Sequence, residues 1–493
     1  MKLALKGQVL RAYSNELFIS VVNEMREWMN AAEYKSWEKL DLPGFTLSNS
    51  LWALIPLEAW RRGLEVQLMP NARYKISDPN RSYFFRQTRL SEGQWDTRAR
   101  NSDDKQHARE IFLSKGLPTP IGELFDANTP KNELVKYASS IGFPVCVKPN
   151  NLAKGTGVFP KVKNAEEVIN AVNMIHGLGT NSQIIVEKHI PGKDVRVSVV
   201  GGEVVAASLR TAAYVSGDGI STVSQLVDVK NSQRNVNPHL CLNLIQKDAV
   251  AENYLQDQGL AWGTVLARGQ KASLSGPANI SAGGDSVDVT DVLSNRAKSI
   301  AIEAVKSMNL HHGGVDLLLE DYTSEEAFVF VNELNPSSGL GPHIYPGFGS
   351  SRDVPVAIID HYFPGTQSIQ GGQNWAFALD DVSRILRDKV AESVILSPLN
   401  VPREPAWRRY VIEHETGALT SVKSSALGIL RKCEVSGVFR GIEAGRSQIA
   451  FSGEQTRVDF VVRSLKNLAS RTDSRLKLAS RASFVSAVGV RSS

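Results

Sequence analysis

Residues 310–343 read LHHGGVDLLLEDYTSEEAFVFVNELNPSSGLGPH, and this stretch determines which fold the chain is expected to have. The run VDLLLE places Asp316 in an apolar, strand-like segment, and FVFVNELNP places Glu333 and Asn335 in a second one. Because side chains alternate across a strand, Glu333 and Asn335 project from the same face. Carboxylates buried in such runs are costly unless a cation or base neutralises them, and hard oxygen ligands suit magnesium held together with phosphate. The pattern indicates a magnesium–nucleotide site; the alternative is a hairpin whose polar residues cap the strand ends.

Composition sets the class of protein. The chain has 493 residues, enough for about three domains. Hydrophobic residues make up 42% and charged residues 22%, as in a globular protein with a true core. Lys and Arg number 56 against 51 Asp and Glu, without a dense basic block, so no nucleic-acid partner is expected. The three cysteines, Cys146, Cys241 and Cys433, lack CxxC spacing, which argues against a disulfide framework or a zinc site and fits a reducing cytoplasm.

Targeting and membrane signals are not evident in the sequence. The start MKLALKGQVLRAYSNE has no apolar region followed by a small-residue cleavage site. No apolar run approaches the roughly 18 residues of a membrane span. A cytoplasmic protein without a membrane partner is therefore expected.

The order of predicted elements divides the chain into five parts. Residues 1–100 form an N-terminal domain with helices at Glu16–Ala32 and Leu51–Arg62, a stop at Gly63 and a strand at 64–69. Residues 101–365 alternate helices and Val/Ile-rich strands and include a polar excursion, 214–248, that we expect to be ordered only in part without ligand. Residues 366–404 read as a linker, 405–468 as a small βαββα unit of ferredoxin type, and 469–493 as a loosely held tail.

Two further features are suited to phosphate. FPVCVKPNNLAKGTGVFPKV (143–162) places Lys148 at a strand end, before a loop with Gly155, Thr156 and Gly157. Glycines let backbone N–H groups approach phosphate closely, and a lysine adds a point charge. Lys105 lies near the start of a helix that Ser102 or Asp103 is expected to cap. An ordinary Gly-x-Gly turn and a solvated lysine are the alternatives.

Two more segments complete the set. IIVEKHIPGKDVRV (184–197) reads as strand, linker and strand, with Glu187 before the linker and Asp194 after it. Such a linker presents backbone groups to an adenine edge with carboxylates near the ribose; a plain hairpin is the alternative. In LARGQKASLSGPANISAGGDSVDVTD (266–291), Asn279 and the glycines Gly283 and Gly284 suit a loop beside a transferred phosphate, or an ordinary loop.

In combination, these segments resemble the ATP-grasp superfamily, in the branch that contains cyanophycin synthetase and the ATP-grasp part of bifunctional glutathione synthetase. The resemblance covers roughly residues 50–364 and is carried by DDKQHAREIFLSKGLPTP, FPVCVKPNNLAKGTGV, IIVEKHIPGKDVRVSVVGGEVVAA, VSGDGISTVSQLVD, VLARGQKASLSGPANISAGGDSVDVTD, GGVDLLLED and VNELNPSSGLGPH. It implies an α/β (α+β) protein with an N-terminal pre-grasp domain, an ATP-grasp core and the small C-terminal domain.

The resemblance also implies an activity: an ATP-dependent ligase that joins a carboxylate to an amine through an acyl phosphate. The implied cofactors are ATP and Mg²⁺ (or Mn²⁺), and the implied substrates are amino acids or peptides; a homo-oligomer is left open. The implied roles are phosphate contacts for Lys105 and Lys148, the adenine-binding linker for Glu187, Lys188 and Ile190, the ribose contact for Asp194, the acyl-phosphate contact for Arg210, and metal ligation for Asp316, Glu333 and Asn335. A small-molecule kinase and a nucleotide sensor without turnover are the rival functions.

Two departures from the family pattern concern substrate and C-terminal function. Ser275 stands where the resembled chains have an arginine four residues before the asparagine, so either Arg268 or Lys271 substitutes or the substrate differs in charge. The C-terminal unit faintly resembles acylphosphatase over 438–465, but EHETGALTSVKSSA replaces that family's phosphate-binding loop. We therefore expect a non-catalytic docking or substrate-shaping module.

Overall fold

The computed structural model describes residues 51–92, 94–150, 152, 156–179, 182–276, 278–370, 376–377, 379–396, 398–399, 405–415, 419–433, 435–443, 445–472, 474–478 and 491–492. The predicted helix Glu16–Ala32 and the loop residue Gly155 lie outside this described part.

Helices and strands alternate along most of the chain. The helices are α1 (Leu54–Arg61), α2 (Gln94–Asp103), α3 (Lys105–Ser114), α4 (Lys131–Ile141), α5 (Ala165–Gly177), α6 (Val223–Val236), α7 (Ala249–Asp257), α8 (Asn295–Ser307), α9 (Gly341–Ile344), α10 (Val354–Tyr362), α11 (Leu379–Arg387), α12 (Leu419–Lys432) and α13 (Gln455–Arg471). The strands are β1 (Glu65–Met69), β2 (Arg73–Ser77), β3 (Ser82–Arg86), β4 (Arg89–Leu90), β5 (Gly122–Phe125), β6 (Val145–Pro149), β7 (Phe159–Val162), β8 (Ile184–Lys188), β9 (Lys193–Val200), β10 (Glu203–Thr211), β11 (Tyr214–Ser216), β12 (Lys271–Ser273), β13 (Asp285–Asp288), β14 (His312–Leu319), β15 (Val329–Asn335), β16 (Val394–Leu396), β17 (Pro405–Glu413), β18 (Ser436–Glu443), β19 (Arg446–Glu454), β20 (Arg475–Leu478) and β21 (Arg491–Ser492).

The N-terminal sheet is built from both ends of the chain. Its order is β21-β16-β1-β2-β3-β4, and β16 pairs antiparallel with β1, with Val66 opposite Leu396. The predicted helix, glycine stop and strand are present as α1, Gly63 with φ 77° and β1. The interpretation of 366–404 as a linker needs correction, because α11 and β16 lie within it and bury Val382 and Val394 in the core of this sheet. The apolar residues of α11, Leu379, Val382 and Leu386, recur at helical spacing, so this helix had a signal in the sequence that the linker interpretation overlooked.

Two further sheets form the middle of the molecule. One has the order β5-β8-β6-β7, and its core is closed by buried residues of α4 and α5, such as Leu134 and Val172. The other has the order β13-β10-β9-β14-β15, and α8 packs its alanines against the Val195–Val199 side of β9. The linker 189–192 joins β8 to β9, which belong to different sheets. The alternative of a plain hairpin at this place is therefore wrong.

The residue that caps helix α3 lies one or two positions later in the chain than the sequence predicted. Asp104, not Ser102 or Asp103, caps it, since its carboxylate accepts from the N–H groups of Gln106 and His107. Ser102 instead donates to the carbonyl of Arg98 at 2.9 Å, within α2. Lys105 is consequently the first residue of α3.

The excursion 214–248 has regular structure, contrary to the expectation that it is ordered only in part. It contains β11 and α6, and α6 begins with a capping box between Thr222 and Gln225. A buried ionic group fixes α6 on the central sheet: the carboxylate oxygens of Asp285 lie 2.6 Å from Lys230 Nζ and 2.6 Å from Arg234 Nη1. Two basic residues of the segment, Lys230 and Arg234, are therefore buried ion-pair partners, which the sequence alone cannot distinguish from solvated side chains.

The C-terminal unit contains the predicted βαββα order and one more strand. β17, α12, β18, β19, α13 and β20 follow one another, and the sheet order is β18-β19-β17-β20. The tail prediction is wrong for β20, which pairs with β17, and for β21, which pairs with β16.

Within the described residues, no helix combines the length and apolar composition that crossing a membrane requires.

Candidate active site

The hairpin of β14 and β15 brings the predicted metal ligands together. Asp316 lies directly opposite Glu333, and Gly314 lies opposite Asn335, so the three side chains share one face of the sheet. Asp316 is 3% exposed, whereas Glu333 and Asn335 are half-buried. The i, i+2 spacing read from the sequence thus places Glu333 and Asn335 on the same face, as predicted.

Asp316 is held by two arginines. Arg196, its cross-strand neighbour on β9, binds both carboxylate oxygens, and Arg210 Nη2 donates to Oδ2 at 2.9 Å. Burial would raise the pKa of Asp316, but the two guanidinium groups outweigh it and lower this pKa below its ordinary value. Asp316 is therefore ionised at neutral pH.

Arg210 links Asp316 to Asp194. Its Nη2 lies 2.6 Å from Asp194 Oδ1, and the two residues are cross-strand neighbours on β10 and β9. Burial raises the pKa of Asp194, and Arg210 opposes that effect. The sequence analysis named Arg210 and Asp194 as site residues but not Arg196. The signal that could have identified Arg196 is its i, i+2 spacing with Asp194, which puts both side chains on one face of β9.

A second buried ion pair lies on the neighbouring sheet. Lys148 lies on β6, and Glu187 lies on the paired strand β8. Lys148 Nζ lies 2.6 Å from Glu187 Oε1. Burial alone would lower the pKa of Lys148, but the adjacent carboxylate raises it above its ordinary value. The ammonium group therefore stays charged inside the protein.

Lys105 bridges this sheet and the hairpin. Its Nζ donates to the carbonyls of Asn150 at 3.1 Å and Leu152 at 3.0 Å and lies 3.7 Å from Glu333 Oε1. Because those carbonyls belong to the segment after β6, Lys105 connects the predicted phosphate loop to the predicted metal ligands.

The glycine-rich loop and the linker contribute backbone. Gly157 has φ 72°, and a Cβ there would lie 3.3 Å from the Pro149 ring, so close packing favours glycine; Thr156 beside it is exposed. The Lys188 side chain donates to the carbonyls of residues 142 and 143 at 2.8 and 3.2 Å. Its ammonium group is thus used within its own lobe, and Lys188 and Ile190 are left to contribute backbone groups.

The Asn279–Gly284 turn lies at the end of the strand that carries Arg210. The Asn279 carbonyl accepts from Ala282 at 3.0 Å and from Gly284 at 3.1 Å. A Cβ on Gly284 would lie 2.3 Å from the carbonyl oxygen of Thr211, the residue after Arg210. Glycine is therefore required for this turn to approach β10.

One cavity collects residues from both sheets. It is lined by Lys105, Lys148, Glu187 and Glu333 from the predicted set. The sequence did not single out the buried Arg109 on α3 and Thr119, which line it as well. No cluster of three or more His, Cys, Asp or Glu side chains that suits a metal ion occurs in the described part of the chain.

Comparison with known proteins identifies the fold around this cavity. Residues 112–240 match the family model described as D-ala D-ala ligase C-terminus. The chain is 30% identical to the glutathione biosynthesis bifunctional protein GshAB of Enterococcus faecalis over 269 residues, which is 53% of this chain and 35% of that protein. It is 30% identical to cyanophycin synthetase of Geminocystis herdmanii over 266 residues, which is 53% of this chain and 30% of that protein. The matched segments are thus similar to the relatives that the ATP-grasp resemblance of the sequence predicted.

The ATP-grasp resemblance predicted from the sequence is thereby confirmed, within limits of coverage. The chain spans about a third of the length of the curated relatives it matches. Among solved structures, a bifunctional glutathione synthetase from Pasteurella multocida is 25% identical with a TM-score of 0.47, covering 60% of this chain and 41% of that one.

The structure shows what stands at the position of the missing ATP-grasp arginine. The Ser275 hydroxyl is buried and accepts from the backbone N–H of Ala213 at 3.0 Å. Arg268 and Lys271 are exposed, and Lys271 Nζ lies 4.9 Å from the centre of the Tyr214 ring. Replacement of the arginine by either residue stays a prediction.

Lys148→Met is expected to weaken the binding of a magnesium–ATP analogue by about 1.5–3 kcal/mol, because it removes one charge-assisted contact to phosphate. Titration calorimetry with a non-hydrolysable analogue measures this change. Lys163→Met, which removes an exposed lysine between β7 and α5, is the control and should leave the affinity unchanged. Equal affinities for the wild type and Lys148→Met would contradict the assigned phosphate contact.

Proposed function

We propose that this chain is an ATP-dependent carboxylate–amine ligase that forms an amide or peptide bond and releases ADP and phosphate. The observation that carries the proposal is the single cavity in which Glu333 of the β14–β15 hairpin meets Lys105, Lys148 and Glu187. Acidic groups for a divalent ion and basic groups for polyphosphate thus face one space, as phosphoryl transfer requires. The similarity to GshAB and to cyanophycin synthetase supports the same chemistry over the matched segment.

The predicted metal ligands fit magnesium by their donor atoms. Asp316 and Glu333 supply carboxylate oxygens in register, and Asn335 supplies an amide. The Asn335 Nδ2 atom is buried without a hydrogen-bond partner among the described residues, so the fold does not use this donor. When bound, Mg²⁺ or Mn²⁺ would neutralise charge on the transferred phosphoryl group.

The protein groups around the site position and stabilise the substrates. In this proposal, Lys105 and Lys148 hold the nucleotide phosphates, and Thr156 and Gly157 offer backbone N–H groups beside them. Glu187, Lys188 and Ile190 border the adenine position, and Asp194 borders the ribose. Arg210 and the Asn279 turn stabilise the negative charge that develops on the carboxylate accepting the phosphoryl group. Catalysis of this kind rests on positioning and electrostatic stabilisation rather than on a covalent enzyme intermediate.

The proposed reaction has two stages. A carboxylate of an amino acid or peptide accepts the γ-phosphoryl group and becomes an acyl phosphate. An amine then attacks the acyl carbon, loses a proton and expels phosphate, which leaves the amide. Residues 214–248 border this side of the site through α6 and its ionic contact with Asp285, so they are the segment from which substrate contacts are expected.

Hydroxylamine trapping tests the reaction type. With Mg-ATP and a panel of amino acids and dipeptides, hydroxylamine in place of the amine should give a hydroxamate together with ADP and phosphate in equal amounts. A kinase would leave a stable phosphorylated product and release no phosphate, and a nucleotide sensor would release neither ADP nor phosphate. A stable phospho-product without hydroxamate would contradict the ligase assignment.

A further inference from the structure

The Glu187 carboxylate faces two cations, of which the proposed function uses only one. Glu187 is 6% exposed; its Oε1 lies 2.6 Å from Lys148 Nζ, and its Oε2 lies 3.8 Å from Arg109 Nη1. The first contact is a closed ion pair, whereas the second is about 1 Å longer than a charge-assisted hydrogen bond. Arg109 is thus aligned with the second oxygen without yet bonding to it.

The position of the Arg109 guanidinium is built by its surroundings. Gly122 on β5 lies opposite Glu187 on β8, and a Cβ on Gly122 would lie 2.5 Å from Arg109 Nη1 and 2.5 Å from Glu187 Cβ. The guanidinium therefore occupies the space over a bare backbone, where any side chain would displace it. Its other nitrogen donates to the Gln106 carboxamide, one turn earlier on α3.

The charge of Arg109 is not fully compensated where it now lies. The side chain is 5% exposed, and burial lowers the pKa of Arg109 below its ordinary value despite the nearby Glu187. A buried guanidinium in this situation gains from a closer carboxylate. The pair with Glu187 would close by a shift of about 1 Å, well within the freedom of an arginine side chain.

Lys148 has two partners that compete for one ammonium group. In the ligand-free structure it neutralises Glu187, and in the proposed complex it turns to the nucleotide phosphates. Without another cation, that movement would leave an ionised carboxylate buried and unpaired, which is strongly unfavourable. The Glu187 carboxylate would then lose the contact that holds it at the adenine position that it is proposed to border.

We propose that Arg109 is the positioning residue that takes over neutralisation of Glu187 when Lys148 engages the nucleotide phosphates. The exchange keeps Glu187 ionised and oriented at the adenine position and lets Lys148 leave at little cost. This inference rests on the proposed nucleotide site, but it assigns to Arg109 a role that acts through Glu187 rather than through contact with the nucleotide.

A double-mutant cycle in nucleotide binding tests the proposal. Calorimetry with a non-hydrolysable ATP analogue and magnesium compares the wild type with Arg109→Met, Arg109→Lys, Glu187→Gln and the Arg109→Met/Glu187→Gln pair. Arg109→Met should raise Kd about tenfold to hundredfold, and Arg109→Lys, which keeps the charge, by about threefold or less. In the Glu187→Gln background no carboxylate needs neutralising, so Arg109→Met should add less than about threefold. A merely structural arginine would not show this suppression in affinity.

Control variants distinguish a failure of the proposed role of Arg109 from a failure of the proposed nucleotide site. Arg62→Met removes a comparably buried, ion-paired arginine from the N-terminal sheet and should leave Kd unchanged. Thermal melting checks folding, and Arg109→Gln replaces the methionine variant if that variant does not fold. Unchanged affinity in Arg109→Met, or an equal loss in both backgrounds, would overturn the role of Arg109 while leaving the nucleotide site intact. Failure of the wild type to bind the analogue would instead overturn the nucleotide site and this inference with it.

Discussion

Glu333→Gln is expected to lower the rate of ADP formation by about a thousandfold or more, because it replaces a charged metal ligand with a neutral one of the same shape. The fold should persist. The Glu333 side chain is 32% exposed, and its ion pair with Lys105 is a loose contact of 3.7 Å. The measurement is initial-rate ADP release under saturating magnesium and ATP, together with a thermal melt.

A matched control variant tests whether the loss of activity is specific to Glu333. Glu303→Gln neutralises an exposed glutamate on α8 that is paired only with Lys306, and it should leave the rate unchanged. Asn335→Ala should reproduce the loss seen in Glu333→Gln. If Glu333→Gln kept a rate near that of the wild type at saturating magnesium, the assignment of the β14–β15 hairpin as the metal site would be wrong.

Arg210→Met is expected to lower hydroxamate formation by about a hundredfold to a thousandfold, because it removes the cation beside the carboxylate that accepts the phosphoryl group. Nucleotide affinity should change less than the rate of hydroxamate formation, since Arg210 does not line the nucleotide cavity and would act on the nucleotide only through Asp194 and Asp316. Hydroxamate yield, measured beside the Kd of the ATP analogue, separates the two effects. Arg210→Lys should recover part of the rate, but a point charge cannot bind Asp194 and Asp316 in the same fork.

Arg352→Met provides the comparison for this second variant. It removes a guanidinium that binds Asp288 on β13, the edge strand of the same sheet, and should leave the rate within about threefold of the wild type. A rate for Arg210→Met as high as that of the control would contradict the placement of Arg210 at the reacting carboxylate.

The parts of the fold that the sequence predicted are those where one local signal is strong. The two apolar strands around Asp316 and Glu333 are present as β14 and β15, since unbroken valine and leucine runs admit few other structures. The helix, glycine stop and strand at 51–69 are present for the same reason. The register that places Asp316 opposite Glu333 was not in the sequence pattern, because pairing depends on the bulge between Asp316 and Leu317.

The parts that the sequence did not predict depend on contacts between distant segments. Arg196 binds Asp316, and Arg109 lies beside Glu187; in both cases the partner is far along the chain, so no local pattern marks the contact. The excursion 214–248 looked polar enough to lack order, yet Arg234 is fully buried against Asp285. Charge neutralisation inside a core leaves no periodic signal in the sequence, so these contacts are recognisable only in the folded structure.

The pairing of β16 with β1 has a consequence for how the molecule can be divided. Residues 376–396 follow the ATP-grasp segment in sequence but bury Phe377, Val382 and Val394 in the N-terminal core and cover one edge of β1. A fragment that ends near residue 365 loses this cover and exposes unpaired N–H and C=O groups along β1, next to an opened apolar core. Bare strands of that kind recruit strands from other molecules and promote aggregation. Expression and crystallisation of a shortened fragment should therefore retain the chain at least through Leu396, even though no described residue beyond 365 lines the proposed nucleotide cavity.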